Sequence, residues 1–246
     1  MPVKIIAVVN HKGGVGKTTT TLNLGRALSL QKKKVLIIDT DPQANLSQSV
    51  GIEDTDKNIY HALCEKETLP VLNIAPGFDL VPASLDLSGA EVKLISELNG
   101  YFRLKEALAP VVEQYDFILI DCPPSLGILT INALIAADKI MIIIQAQYLA
   151  IKGLNTILDT VEELRRNLNS RLTVMGMLLT QVNRTVVSKT ITESIRDTHH
   201  EKVFNTVIRQ SVSLIEASTT GQDIFSYDRN SHGAEDYLNL AKEILN

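Results

Sequence analysis

A nearly continuous apolar run, Val3–Val9, leads directly into Asn10-His11-Lys12-Gly13-Gly14-Val15-Gly16-Lys17-Thr18-Thr19, and a helix-period segment, Thr18–Leu30, follows. The run is rich in β-branched residues and reads as a strand buried on both faces. Beyond the loop, Leu22, Leu24, Ala27 and Leu28 recur at helical spacing. Strand, glycine loop and helix in this order are the context of a phosphate-binding loop. Glycine permits the backbone turns that aim several N–H groups at one anion, and the helix N-terminus adds partial positive charge. Lys17 can then bridge β- and γ-phosphates, and the Thr18 hydroxyl can ligate Mg²⁺. The general pattern opens with a glycine at the position occupied here by His11, so the loop is a variant with Lys12 near its start.

The rest of the chain repeats the alternation. Apolar runs at Val35–Ile38, Asp79–Val81, Phe117–Ile120, Ile140–Ile144 and Val174–Leu179 read as strands. Helical patterns lie between and after them at Leu87–Leu98, Leu104–Glu113, Leu129–Ala137, Leu154–Leu168, Val187–Thr198 and Ala234–Leu245. Such alternation predicts βαβ units and a mostly parallel twisted sheet with helices on both faces. Gly51–Pro76 is the least patterned stretch and is expected to form a peripheral loop with a short helix. No Pro/Gly/Ser-rich linker interrupts the chain, so one domain over residues 1–246 is expected.

Composition narrows the function classes. A chain of 246 residues can bury roughly 70% of its extended surface, and 45% hydrophobic residues suffice to fill the core. A charged fraction of 21% without low-complexity runs excludes a disordered chain. The net charge of −4 excludes a globally basic nucleic-acid binder, though not a local basic face. Two cysteines, Cys64 and Cys122, cannot build a disulfide framework and read as reduced thiols. No window suggests a membrane span or signal peptide, so a cytoplasmic protein is expected.

Three carboxylates end apolar runs. Asp39 and Asp41 close the second strand, and Asp121 closes Phe117–Ile120. That is the strand end at which open α/β sheets bind ligands. Asp121 can hold a Mg²⁺ water. Asp41 precedes Pro42, and a turn aspartate there stays open as the simpler reading. Pro123, Pro124 and Gly127 follow Asp121 in a loop suited to sensing a γ-phosphate.

Lys12-Gly-Gly-Val-Gly-Lys-Thr-Thr resembles the deviant Walker A motif of the ParA/MinD ATPases. Val35–Gln43 is similar to the switch I segment of that family, and Tyr115–Gly127 to its Walker B and switch II segments. Leu80–Glu91, Glu216-Ala217 and Tyr227–Ala234 resemble blocks of ParA/Soj partition proteins. The resemblance spans nearly the whole chain. It implies an α/β P-loop NTPase that hydrolyses ATP with Mg²⁺. In this reading Lys12 is the signature lysine that reaches the partner's phosphates in an ATP-dependent sandwich homodimer. Lys17 and Thr18 serve the phosphates and metal, Asp41 orients the attacking water near Mg²⁺, Asp121 holds the metal through water, and Asp39 supports it. Gly13, Gly14, Val15, Gly16 and Thr19 complete the phosphate cradle. Gln181, Asn183, Ile208 and Arg209 map to the adenine-gripping segments. The family more often shows Asp at the position of Asn183, Pro at Arg209 and Arg at Gln210.

The resemblance implies a partition ATPase that coats DNA non-specifically, sits on the nucleoid and is stimulated by a centromere-binding ParB-like partner. It places the DNA surface in the C-terminal third, where Arg184, Lys189, Arg196, Lys202 and Arg209 are the candidates, with Glu193, Asp197 and Glu201 opposing them. Other readings share parts of the pattern. A ParA-like ATPase positioning another cargo shares every motif. A MinD-like membrane-site ATPase needs a basic amphipathic C-terminal helix, whereas Ala234–Leu245 holds Glu235, Asp236 and Glu243 against Lys242, so no membrane contact is expected. An electron-transfer or ligase relative with a shared cluster needs two suitably placed cysteines, and Cys64 and Cys122 do not offer them.

Overall fold

The computed structural model describes residues 3–53, 55–147, 150–199 and 202–246. Its strands are β1 (Lys4–Val9), β2 (Val35–Asp39), β3 (Leu72–Ala75), β4 (Phe78–Val81), β5 (Phe117–Asp121), β6 (Lys139–Gln145) and β7 (Thr173–Thr180). They form one sheet in the order β3-β4-β2-β5-β1-β6-β7. Every pairing is parallel except that of β3 with β4.

Helices alternate with the strands as the sequence periods predict. They are α1 (Lys17–Leu30), α2 (Asn45–Gln48), α3 (Ile59–Cys64), α4 (Leu87–Ser96), α5 (Arg103–Leu108), α6 (Ile128–Ala136), α7 (Ala150–Asn167), α8 (Val186–His199), α9 (Val212–Thr219), α10 (Ile224–Tyr227) and α11 (His232–Leu245). Because strand side chains alternate, β1 feeds two cores. Ile5, Ala7 and Val9 pack with α3 to α8 on one face. Ile6 and Val8 pack with α1, α9, α10 and α11 on the other. Helix α1 lies close on the sheet at Gly25, where a Cβ would stand 2.8 Å from both Ile37 Cγ2 and the Phe78 ring.

Some elements differ from the sequence reading. The segment expected as one helix over Leu104–Glu113 splits into α5 and a 3₁₀ turn, Val112–Gln114. Pro110 lies between them, and proline disfavours helix at the residue before it and supplies no N–H. The peripheral stretch Gly51–Pro76 contains the expected short helix, α3, but also β3, a four-residue antiparallel edge strand with no long apolar run to announce it. Helices α9 and α10 were not anticipated. They are short, and α10 is started by Asp223, which accepts the N–H groups of Phe225 and Ser226.

Candidate functional site

The C-terminal ends of β1, β2, β5, β6 and β7 meet on one rim of the sheet, and the glycine loop rises from the centre of it. Gly14 (φ 72°) and Gly16 (φ 96°) sit in the left-handed region, which only glycine enters cheaply. The loop is tied down from all sides. Asn10 accepts the Lys12 N–H at 2.9 Å and donates to the Ile143 carbonyl. Lys17 Nζ donates to the Lys12 carbonyl at 3.0 Å. Thr180 Oγ1 donates to the Val15 carbonyl, and Gln181 Nε2 to the Gly14 carbonyl, both at 2.7 Å. These bonds occupy carbonyls, a pattern suited to a loop whose N–H groups serve a ligand.

A cleft of about 1090 Å³ opens over the loop. Gly13, Gly14, Gly16, Lys17, Thr18, Thr19, Asp41 and Gln181 line it, together with Pro124 of the loop after β5. Val15 is buried and does not line the cleft. The Lys12 side chain is not part of the lining.

The carboxylates come together as the sequence suggested. Asp39 and Asp121 are register partners on neighbouring strands. Thr18 Oγ1 donates to Asp121 Oδ2 at 2.7 Å. Burial raises the Asp121 carboxyl well above its ordinary range, and nearby Asp39 adds to this, against Thr18 and Lys17. Asp39 is pushed up to about 6, chiefly by burial, while the Ser47 and Asp41 N–H groups and the Ser47 hydroxyl favour its ionised form. Burial lowers the Lys17 ammonium, with Asp121, Cys122 and Asp41 pulling the other way. These groups form a buried, charge-poor pocket that a polyphosphate and a divalent cation would complete.

The donor set fits Mg²⁺. That ion takes hard oxygen ligands, keeps waters and is held by one or two carboxylates plus substrate phosphates. Here one hydroxyl, Thr18, touches one carboxylate, Asp121, beside the phosphate loop. Among the described residues no cluster of three or more His, Cys, Asp or Glu side chains forms an all-protein cage.

The comparisons agree with this geometry. A family model described as an AAA domain matches residues 3–174. The chain is 43% identical to the sporulation initiation inhibitor protein Soj of Bacillus subtilis (strain 168), covering 98% of each chain. It is 44% identical to the chromosome-partitioning ATPase Soj of Treponema pallidum (strain Nichols), covering 98% of this chain and 97% of that one. The chain belongs to the Soj/ParA family of partitioning ATPases. Its fold also matches a solved cobyrinic acid a,c-diamide synthase from Mycobacterium smegmatis with bound ADP and magnesium, at 31% identity and a TM-score of 0.87, covering 99% of this chain and 94% of that one.

Beside the phosphate cleft of this family member lies a second cavity of about 190 Å³. It is lined by Gly16, Thr19, Gln181, Ile208, Arg209, Leu214 and Ile215, with Tyr237 at its base. Gln181, Ile208 and Arg209, expected to contact adenine, line this cavity. Asn183 does not line the cavity: its Oδ1 accepts the Thr185 N–H and hydroxyl at the head of α8, and its amide donates to Gln210. An asparagine three residues before a helix satisfies backbone donors that the helix leaves free.

Arg209 borders the cavity with its guanidinium committed elsewhere. It forms ion pairs with Glu235 and Asp236, and its backbone N–H also donates to Asp236. Among the DNA candidates it is therefore charge-neutralised. Lys189 lies 3.9 Å from Glu193, and Arg196 donates to the Asn205 carbonyl. Arg184 and Lys202 are exposed. Glu201 lies outside the described residues. Sequence reasoning missed Ile215, Asp236 and Tyr237, which reach this region only through long-range packing, whereas Thr180 ends a strand on the ligand rim.

Proposed function

We propose that this chain is a Mg²⁺-dependent ATPase that drives DNA partition, pairing through its nucleotide clefts when ATP is bound. The observation that carries the reading is the joined geometry of Lys17, Thr18, Asp41 and Asp121 around one cleft on the strand-end rim. Backbone N–H groups and Lys17 hold the phosphates. Thr18 and Asp121 would hold Mg²⁺, which when bound offsets the charge of the β- and γ-phosphates. Asp41 lines the cleft with its Oδ1 fixed by the Gln43 N–H at 2.9 Å, which keeps a carboxylate ready to orient a water. Lys12, outside the cleft lining, is assigned to a second chain, where another cation would offset charge on the transferring phosphoryl group. Non-specific DNA binding, nucleoid association and stimulation by a ParB-like partner complete the reading. Its support is the likeness to chromosome-partitioning relatives over nearly the whole chain. No helix among the described residues is long and apolar enough to cross a membrane.

The test is duplex DNA binding by the purified protein with ATP, ADP or no nucleotide, read beside the oligomeric state. ATP-dependent dimers that bind DNA support the proposal. Binding that is indifferent to nucleotide, or absent throughout, defeats it.

A further inference from the structure

The rim formed by the N-terminal ends of the strands, opposite the nucleotide cleft, is strongly basic. Lys32, Lys33 and Lys34 lead into β2, Lys4 opens β1, Lys139 opens β6, and Arg171 precedes β7. The strand order β2-β5-β1-β6-β7 sets these in a row. At about 4.8 Å per strand, the row from Lys34 to Arg171 is about 19 Å long, the length of roughly five to six base pairs of duplex.

Carboxylates stand among these cations: Asp116 and Asp138 on the strand ends, and Glu243 beside the Ile244 carbonyl that Lys4 reaches, each accepting backbone N–H groups. Asp116 accepts the Lys34 N–H at 2.8 Å, and Asp138 accepts the Ile5 N–H at 3.4 Å. Glu113 lies one turn before β5. Lys32, Lys34 and Arg171 are exposed. None of the six cations forms an ion pair among the described residues, although Lys4 donates to the Ile244 carbonyl and Lys139 to the Thr173 hydroxyl. In contrast, Arg165 and Arg166 nearby are matched by Glu162.

A second observation concerns Lys32 alone. It occupies the left-handed residue (φ 61°) of a complete Schellman end to α1. Its N–H donates to the Ser29 carbonyl, and the Lys33 N–H donates to the Leu28 carbonyl. Glycine is the residue this position favours, and a side chain there costs about 1 kcal/mol or more. A cation at this helix end is favoured by the α1 dipole, which offsets part of that cost.

We propose that this rim is a DNA-contacting face, separate from the C-terminal third. The proposal rests on the partition reading above. Lys32 and Lys34 at one end of the row and Arg171 at the other, exposed and without ion pairs among the described residues, suit a phosphate backbone, the source of sequence-independent affinity. An anionic membrane is a poorer fit, because a stable surface contact needs an apolar face. The exposed apolar residues near this rim are Leu30 and Leu168, which lie at the ends of different helices. In a dimer joined at the nucleotide clefts, the two rims lie at far ends. One dimer therefore holds two separate duplex segments.

The experiment compares the full-length chain with its Lys32→Gly/Lys34→Gln variant, using a labelled duplex with ATP and Mg²⁺ across salt. Each lysine on a phosphate steepens the log–log salt dependence by about 0.9, so the variant's slope should be shallower by about 2. Capture of a second duplex by bead-bound DNA should be lost. Basal ATP hydrolysis should be unchanged, and the melting temperature should be equal or higher, since glycine relieves the left-handed residue. A misfolded variant would show the opposite on both counts; Lys34→Gln alone, with the α1 turn untouched, should then still lower the slope by about 1. An unchanged slope in the folded variants, with wild type binding DNA, overturns this inference and leaves the partition reading intact. Wild type that binds no duplex overturns both. Lysine-dependent binding to phosphatidylserine vesicles without binding to duplex overturns the assignment to DNA.

Discussion

Replacing Asp236 with alanine should loosen the nucleoside cavity while sparing the phosphate loop. The Asp236 carboxylate is buried on α11 and accepts the Arg209 backbone N–H at 2.9 Å, as well as the guanidinium. A sheltered hydrogen bond to a charged group contributes about 1.5–3 kcal/mol. The guanidinium is 40% exposed, so its ion pair belongs on the surface scale of about 0–1 kcal/mol. Together the loss is about 1.5–4 kcal/mol, or about 3–16 °C in melting temperature for a chain of this size. Residues 204–211 carry Ile208 and Arg209 into the cavity wall, and since the backbone N–H groups of Phe204, Ile208 and Gln210 keep their bonds to β7 and Val182, the turn at Arg209 is the part that loosens. Reordering it on binding at a cost of about 1.4 kcal/mol weakens adenine nucleotides about 10-fold. Tripolyphosphate contacts no part of that wall and should bind as to wild type. Calorimetric titration of ADP and of tripolyphosphate separates the two. Asp236→Asn keeps one acceptor and should fall between. Equal weakening of both ligands, or of neither, would refute the clamp.

Lys17→Ala removes the buried cation that bonds the Lys12 carbonyl, and fluorescence titration should show ATP bound at least ~100-fold more weakly, about 2.7 kcal/mol. Asp41→Ala should bind ATP yet turn over roughly 100-fold slower or worse, because the water loses its orienting carboxylate; normal phosphate release removes Asp41 from that role. Lys12→Gln should bind ATP but stay monomeric in light scattering where wild type dimerises. Glu243 accepts the Asn205 and Thr206 N–H groups at 2.7 and 2.9 Å. Burial acts to raise its carboxyl, but the bonds from Thr206 and Asn205 outweigh it and the pKa is lowered. A lowered carboxyl stabilises the fold above its unfolded pKa and loses that contribution as pH falls. Glu243→Gln should therefore melt below wild type at neutral pH, and the gap should close through the acid carboxylate range.

The sequence alone determined the parts of this protein that are local. Every strand but β3, and helix α1, were legible because burial on both faces requires nearly unbroken apolar runs, and helices repeat every 3.6 residues. The phosphate loop was legible for the same reason. Gly14 and Gly16 need left-handed backbone, and Lys17 and Thr18 must follow directly to reach the same anion. Asp39 and Asp121 could be placed on the ligand rim because each ends a strand. Tertiary structure decided everything that depends on partners distant in sequence. Arg209 and Lys189 read equally as free cations; only the fold brings Asp236 and Glu235 to Arg209 from 27 and 26 residues away. Asn183 reads as a base contact until the start of α8 claims its oxygen. The basic rim was invisible in a chain with net charge −4, because its lysines and arginine are scattered over the sequence and only the strand order aligns them. A side chain's type travels with the chain, but its field and its partners belong to the packed sheet.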